Sequence, residues 1–302
     1  MATLYTHRAE NIRATWLLFG AFVVLIAGVG WVVSYAYDAY IIFPIAVAIA
    51  VFMSVASYWF SDKMVVAFSG AKPVLKQDDP ELYRTVENLA IAAGLPAPKI
   101  YIVEDPAPNA FATGRDPNHA VIAVTRGLRQ GLEKPELEGV LAHELAHIGN
   151  NDMFIATVAA VLAGVIATLA DLFIRMTFHG GFGGSRRDRR GSGGALILVG
   201  LIGALVLAPI AATLLRLAIS RRREFLADAS GALLTRHPEA LAQALEKISA
   251  FSLPMRRAPE AIAHLWLSDP QIQKHKASFF SRLFMTHPPL EDRIRALRKI
   301  AA

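Results

Sequence analysis

Val140-Leu141-Ala142-His143-Glu144-Leu145-Ala146-His147-Ile148 is the stretch from which the rest of the chain can be read. The pattern predicts a helix from about Lys134 to Asn150, with Pro135 at the early position that tolerates proline. A helix turns about 100° per residue, so His143 and His147, four apart, share one face. Two imidazoles placed like this can converge on one tetrahedral Zn²⁺ ion. Glu144 falls beside that position rather than on it, where a carboxylate can take a proton from water. The competing reading is a surface helix with two titrating histidines. Val140, Leu141, Leu145, Ala146 and Ile148 argue against a freely solvated face, and a buried histidine pair without a metal or another partner is costly. The chain has no cysteine, so any metal must be held by nitrogen and oxygen.

A catalytic zinc takes three protein ligands and keeps the fourth position for water. The candidate for the third lies in Arg223-Glu224-Phe225-Leu226-Ala227-Asp228. Glu224 and Asp228 are again four apart and face the same way on a helix. Glu224 can bind the metal while Asp228 accepts the remaining ring N–H of a ligand histidine and fixes its tautomer. The alternative is a solvated acidic face pairing with Arg221 to Arg223.

Outside these motifs the chain is unusually apolar. Of its 302 residues 54% are hydrophobic, against roughly 45–50% in a soluble globular protein. The excess sits in four blocks, as transmembrane segments would place it. The net charge of +6 lies largely at the ends of those blocks, as membrane-anchoring Lys and Arg do, so it calls for no nucleic-acid partner. The first block, about Ala14 to Val33, exceeds the roughly 7–15 residues of a signal-peptide core and lacks a small-residue cleavage site, so it reads as a retained anchor. The second runs from about Tyr40 to Phe60. A link carrying Asp38 and no Lys or Arg joins the two, while Arg8, Arg13, Lys63, Lys72 and Lys76 flank the pair. That asymmetry places both outer ends in the cytoplasm.

Blocks three and four span about Phe154–Phe178 and Ala195–Ile219, joined by the Gly-rich loop His179–Gly194 with Arg186, Arg187, Arg189 and Arg190. Full crossings would put that basic loop outside, against the positive-inside rule. Asp171 and Arg175 also sit where a charge must face protein or water. Spanning, dipping in and returning, or packing on the rest of the protein all stay open. Any even number of crossings keeps His143, His147 and Glu224 on one side.

The reading thus divides the chain into an N-terminal hairpin (1–61), a first catalytic part (62–152), a second hydrophobic hairpin (153–219) and a second catalytic part (220–302). In the first catalytic part, Pro80 to Leu95 reads as an amphipathic helix with Leu82, Val86, Leu89 and Ala93 in one stripe. Lys99–Val103 and Ala120–Val124 read as short strands, separated by a turn at Asp105–Asn109. Helices are expected near Leu215–Leu234, Ala240–Ala250 and Leu290–Ile300, the last after His287-Pro288-Pro289. His7, His119, His179, His237, His264 and His275 have no metal-ligand spacing and are read as structural or surface residues.

Taken together, the N-terminal hairpin, Pro108-Asn109-Ala110-Phe111-Ala112-Thr113-Gly114, the stretch Val140–Ile148, Glu224-Phe225-Leu226-Ala227-Asp228 and Thr286-His287-Pro288-Pro289 resemble HtpX-type membrane zinc metalloproteases, relatives of the CAAX prenyl endopeptidases. The resemblance covers nearly the whole chain. It implies a mainly α integral membrane protein whose α+β gluzincin-type zinc protease domain, with a small sheet, is interrupted by a hydrophobic helical hairpin. It further implies one Zn²⁺ on His143, His147 and Glu224, with Glu144 as catalytic base. By the same resemblance Asn109, Ala110 and Phe111 form an unpaired edge to which an extended substrate adds. His287 reaches the site to stabilise the oxyanion, joined by Arg293. Asp152, just past the metal helix, reads either as a partner of the metal ligands or as a simple helix stop. The implied activity is hydrolysis of misfolded or damaged membrane proteins at cytoplasmic segments, in the bacterial inner membrane, with polypeptides and the lipid bilayer as partners. Two rivals are a CAAX-type prenyl-protein peptidase, for which four apolar blocks are few, and a scaffold or chaperone with structural zinc, for which Glu144 is superfluous.

Overall fold

The computed structural model describes residues 4–36, 38–178, 221–251, 254–256, 259–268 and 288–301. The first two apolar blocks form helices α1 (Leu4–Ala36) and α2 (Ile42–Ser69). They pack as a hairpin in which Gly30 leaves no room for a Cβ beside Ala46, and the Ser34 and Ala39 main chains close the link. α2 runs on past the apolar block to Ser69, where Gly70 at φ 67° ends it in the left-handed conformation that glycine adopts without penalty. The polar Ser61-Asp62-Lys63 are acceptable to a helix, so hydropathy alone misplaces this end.

The catalytic part opens with β1 (Lys72–Pro73) and α3 (Pro80–Ala93). Asp79 caps α3 by accepting from Leu82 N–H at 3.0 Å and also pairs with Arg129. The two expected strands are β2 (Lys99–Val103) and β4 (Val121–Thr125), with β3 (Ala110–Thr113) between them in sequence. The sheet order is β1-β2-β4-β3, with β2 and β4 parallel and both outer pairs antiparallel. β4 is buried on both faces, as its unbroken apolar run requires.

A short helix α4 (Arg126–Gly131) leads into α5 (Lys134–Gly149), which carries the histidines. Glu133 and Glu136 form a capping box at its start. Asn151, at φ 58°, turns the chain into α6 (Asp152–Phe178), the third apolar block. Among the described residues, three helices are long and apolar enough to cross a membrane: α1, α2 and α6. They differ in surroundings. Only 11% of the apolar window of α2 is buried within the protein, against 67% for α6. α6 is clasped by α1 and α2 through Phe154, Ile155, Val158 and Leu162, and is tied to β3 by the hydroxyls of Thr113 and Thr157, 2.9 Å apart. The fourth block and the Arg-rich loop lie outside the described residues.

The chain resumes in α7 (Arg221–Thr235), which packs along α5, followed by α8 (Pro238–Ala250), the short α9 (Glu260–Ala263) and α10 (Leu290–Ala301). Helices α3, α5, α7, α8 and α10 and one face of the sheet share a single apolar core. The architecture is therefore the expected one: mostly helical, with a small mixed sheet and membrane-length helices joined directly to the catalytic part.

Candidate metal centre

Two close backbone approaches seat α5, one against α7 and one against α8. At Gly231 a Cβ would stand 2.9 Å from the main-chain nitrogen of His143, and at Gly139 one would stand 3.1 Å from Leu241. α7 thus lies against α5 with no side chain between them at Gly231. Glu224, two turns earlier on the same face of α7, is carried to the histidine pair.

His143 Nε2 and His147 Nε2 are 3.2 Å apart. The Glu224 carboxylate approaches them at 3.9 and 3.6 Å. One donor atom from each of the three lies within 4.8 Å of the others, a spacing that can hold a single metal ion. The far ring nitrogens are occupied: His143 Nδ1 is 2.9 Å from Asp228, and His147 Nδ1 is 3.1 Å from Asp152. With each Nδ1–H held by a carboxylate, both Nε2 lone pairs face the shared centre. Donor type, number and spacing fit a nitrogen-and-oxygen metal site that leaves a coordination position open.

The charge around this centre is dense and paired. Arg293 on α10 is fully buried and grips Asp228 through two bonds of 2.8 and 2.6 Å. Its guanidinium also stands 3.4 Å from Glu224. Burial works to raise the pKa of Asp228, but the Arg293 charge and hydrogen bonds override it and hold that carboxyl at about 2. Glu144 lines the same cavity, and its pKa is raised, chiefly by burial, which the neighbouring histidines only partly offset. A carboxylate so placed takes up a proton more readily than one in water, as a general base for the attacking water must.

The edge residues fall out differently. β3 is an edge strand, and its pairing with β4 fixes which main-chain groups face outward. Asn109 accepts from Thr125 N–H on the β4 side, so in the antiparallel alternation the outward-facing groups are those of Ala110 and Ala112. Both of Ala110's are used: its N–H donates to the Asn109 side chain, and its carbonyl accepts from Leu267 N–H at 2.8 Å. The Asn109 amide is in turn held by the main chain of Ser268. Phe111 is buried, its ring edge-on to Trp266 at 4.7 Å. Among the described residues, the outward main-chain groups of Ala112 on β3 have no partner, unlike those of Ala110, and Ala112 lines the cavity that holds His143, His147 and Glu224. His287 lies outside the described residues. His264, read from sequence as structural, joins the cavity wall with Leu265 and Trp266.

Comparisons with known proteins point to one peptidase family. The profile of peptidase family M48 matches residues 76–301. The chain belongs to that family. Protease HtpX homologs similar to it include those of Tropheryma whipplei, 41% identical over 98% of both chains, and of Syntrophobacter fumaroxidans, 46% identical over 95% of this chain and 98% of that one. The Pyrococcus furiosus homolog is 46% identical over 95% of each. Among solved structures, Ste24p of S. mikatae superposes with a TM-score of 0.51 at 20% identity, covering 94% of this chain and 66% of that longer one, which shows a shared fold. This M48 peptidase is therefore a metalloprotease joined to the membrane by its own helices.

Proposed function

We propose that this chain is a zinc endopeptidase that cuts membrane proteins at segments exposed on the cytoplasmic side, clearing misfolded or damaged ones. The observation that carries the proposal is the convergence of His143, His147 and Glu224 beside Glu144, under the outward-facing main chain of Ala112. A nitrogen-and-oxygen donor set of this size suits Zn²⁺. When bound, the ion polarises the scissile carbonyl and lowers the pKa of water toward about 7. Asp228 and Asp152 hold the two ligand imidazoles in the tautomer and orientation that ligation needs. Glu144 takes the proton from the attacking water and later delivers one to the leaving amine. An extended peptide pairs with Ala112, one residue beyond the edge expected from sequence, because among the described residues the outward groups of Ala110 are taken and those of Ala112 are not. The cytoplasmic orientation is supported by Arg8, Arg13, Lys63, Lys72 and Lys76 outside the hairpin and Asp38 within its link.

The test is cleavage of unfolded casein and of a destabilised membrane protein, in detergent with zinc, by the wild type and by Glu144→Ala. The wild type should cut, and the variant should bind equal zinc while losing at least about 100-fold in rate. Equal zinc with no cleavage by either protein, on both substrates, would sink the hydrolytic reading.

A further inference from the structure

The structure assigns Asn11, on the first membrane helix, as a positioning residue for the metal site. The assignment rests on the metal reading above. Asn11 lies near the start of the apolar part of α1, far in sequence from every ligand, yet its amide is buried against both segments that carry them. Its Nδ2 donates to Asp152 Oδ1 at 2.7 Å and to the Asn150 carbonyl at 3.1 Å. Its Oδ1 accepts from Arg223, the residue before Glu224, at 3.2 Å. One side chain therefore ties the end of the histidine helix to the start of the glutamate helix.

Each bond has a consequence for the ligands. Asp152 has two oxygens: Oδ2 faces His147 Nδ1 and Oδ1 receives Asn11. With both engaged, the carboxylate cannot rotate, and the imidazole it holds keeps one orientation. The Asn150 carbonyl belongs to the last turn of α5, where carbonyls have no partner within the helix, and Asn11 supplies one. The bond from Arg223 fixes the first turn of α7 relative to that same carboxylate. A side-chain amide offers two donors and an acceptor, which is the set these three sites require. At this depth an apolar residue would fit the rest of α1 better, since an amide is costly to bury unless fully bonded. The catalytic machinery therefore includes the membrane anchor. The anchor's role extends beyond attachment: its Asn11 holds His147 in register with Glu224 through Asp152 and Arg223.

The experiment measures zinc affinity of the full-length protein in detergent by competition with a chelator, for wild type, Asn11→Ala, Asp152→Ala and the double variant. Loss of a group that directly holds a metal ligand costs roughly 10–100-fold in affinity, and Asn11 stands one bond further out, so Asn11→Ala should weaken zinc about three- to tenfold. In the Asp152→Ala background the same substitution should change affinity by less than about twofold, because the two act as a unit. kcat should fall with KM nearly unchanged. Asn11→Asp, which matches the size and still accepts from Arg223 but sets a second carboxylate against Asp152 in place of a donor, should weaken zinc at least as much as Asn11→Ala and serves if the alanine variant inserts poorly. Phe22→Leu, a packing change in the same helix, should leave zinc affinity unaltered. Equal losses in both Asp152 backgrounds, an equal loss in Phe22→Leu, or none in Asn11→Ala and Asn11→Asp would overturn the assignment while wild-type zinc binding still upheld the metal reading. A wild type that holds no zinc would remove that reading and this one together.

Discussion

Arg293 shows how much of this site depends on single buried charges. It is wholly enclosed and faces two carboxylates, Asp228 and Glu224. Replacing one member of such a group strands the other, at a cost of about 3–5 kcal/mol, whereas replacing a charged pair with apolar residues costs far less. Arg293→Leu should therefore lower thermal stability sharply in detergent, and Arg293→Leu with Asp228→Leu should recover part of the loss. An Arg293→Leu protein as stable as wild type would refute the account. The pH dependence follows with a defined sign. Asp228 has a folded pKa of about 2, below its ordinary 3.8, so its contribution is present above 3.8 and is lost as pH falls toward 2. Arg293→Leu should flatten the stability profile over that window. Sequence made only part of this site visible. His143 with His147, and Glu224 with Asp228, are each four apart, and helical geometry alone puts such pairs on one face. Arg293 lies 65 residues from Asp228 and Asn11 lies 141 from Asp152. No spacing rule reaches across separate elements: Arg293 is expected only through the family resemblance, its pairing with Asp228 is not, and Asn11 waits on knowing how the helices pack.

Among the elements, the contact of α5 with α7 sets the candidate metal site, because the proposed ligands sit on both. Gly231 lets the two backbones touch, with its missing Cβ pointing at His143 N and the Ala142 carbonyl carbon. In Gly231→Ala that methyl needs several tenths of an ångström, and no side chain is there to move aside. The helices must separate, carrying Glu224 away from His143 and His147. Overpacking of this kind costs about 1–3 kcal/mol, partly offset by alanine's better helix propensity of about 1 kcal/mol. Stability should thus fall modestly while zinc affinity falls by a larger factor. A thermal scan and a chelator titration on one preparation separate the two effects, and unchanged affinity would mean that the spacing is slack. The same logic explains what could be read of the elements beforehand. Strands β2 and β4 and helix α5 announce themselves by runs and periodicity. The edge at Ala110 does not, because its occupancy depends on Leu267, more than 150 residues downstream.

At the scale of the whole molecule, the membrane helices and the catalytic part do not form separable units. α6 follows α5 after a turn at Asn151 and buries Phe154, Ile155, Val158 and Leu162 against α1 and α2. The outer faces of α1 and α2 carry Leu17, Val24 and Phe52, each about seven-tenths exposed, as lipid-facing positions would be. Removing residues 1–69 would leave the α6 face open to water, at a cost of roughly 1.5–3 kcal/mol for each large side chain exposed. It would also take away Asn11 and with it the donor to Asp152 Oδ1. The truncated chain should then aggregate without detergent. In detergent, which covers the apolar face but cannot replace the amide, it should stay dispersed and still bind zinc less tightly than the full chain. Size-exclusion profiles with and without detergent, together with metal content, distinguish these effects. A fragment that is monodisperse in plain buffer with full zinc content and full activity would show that the hairpin is only an anchor.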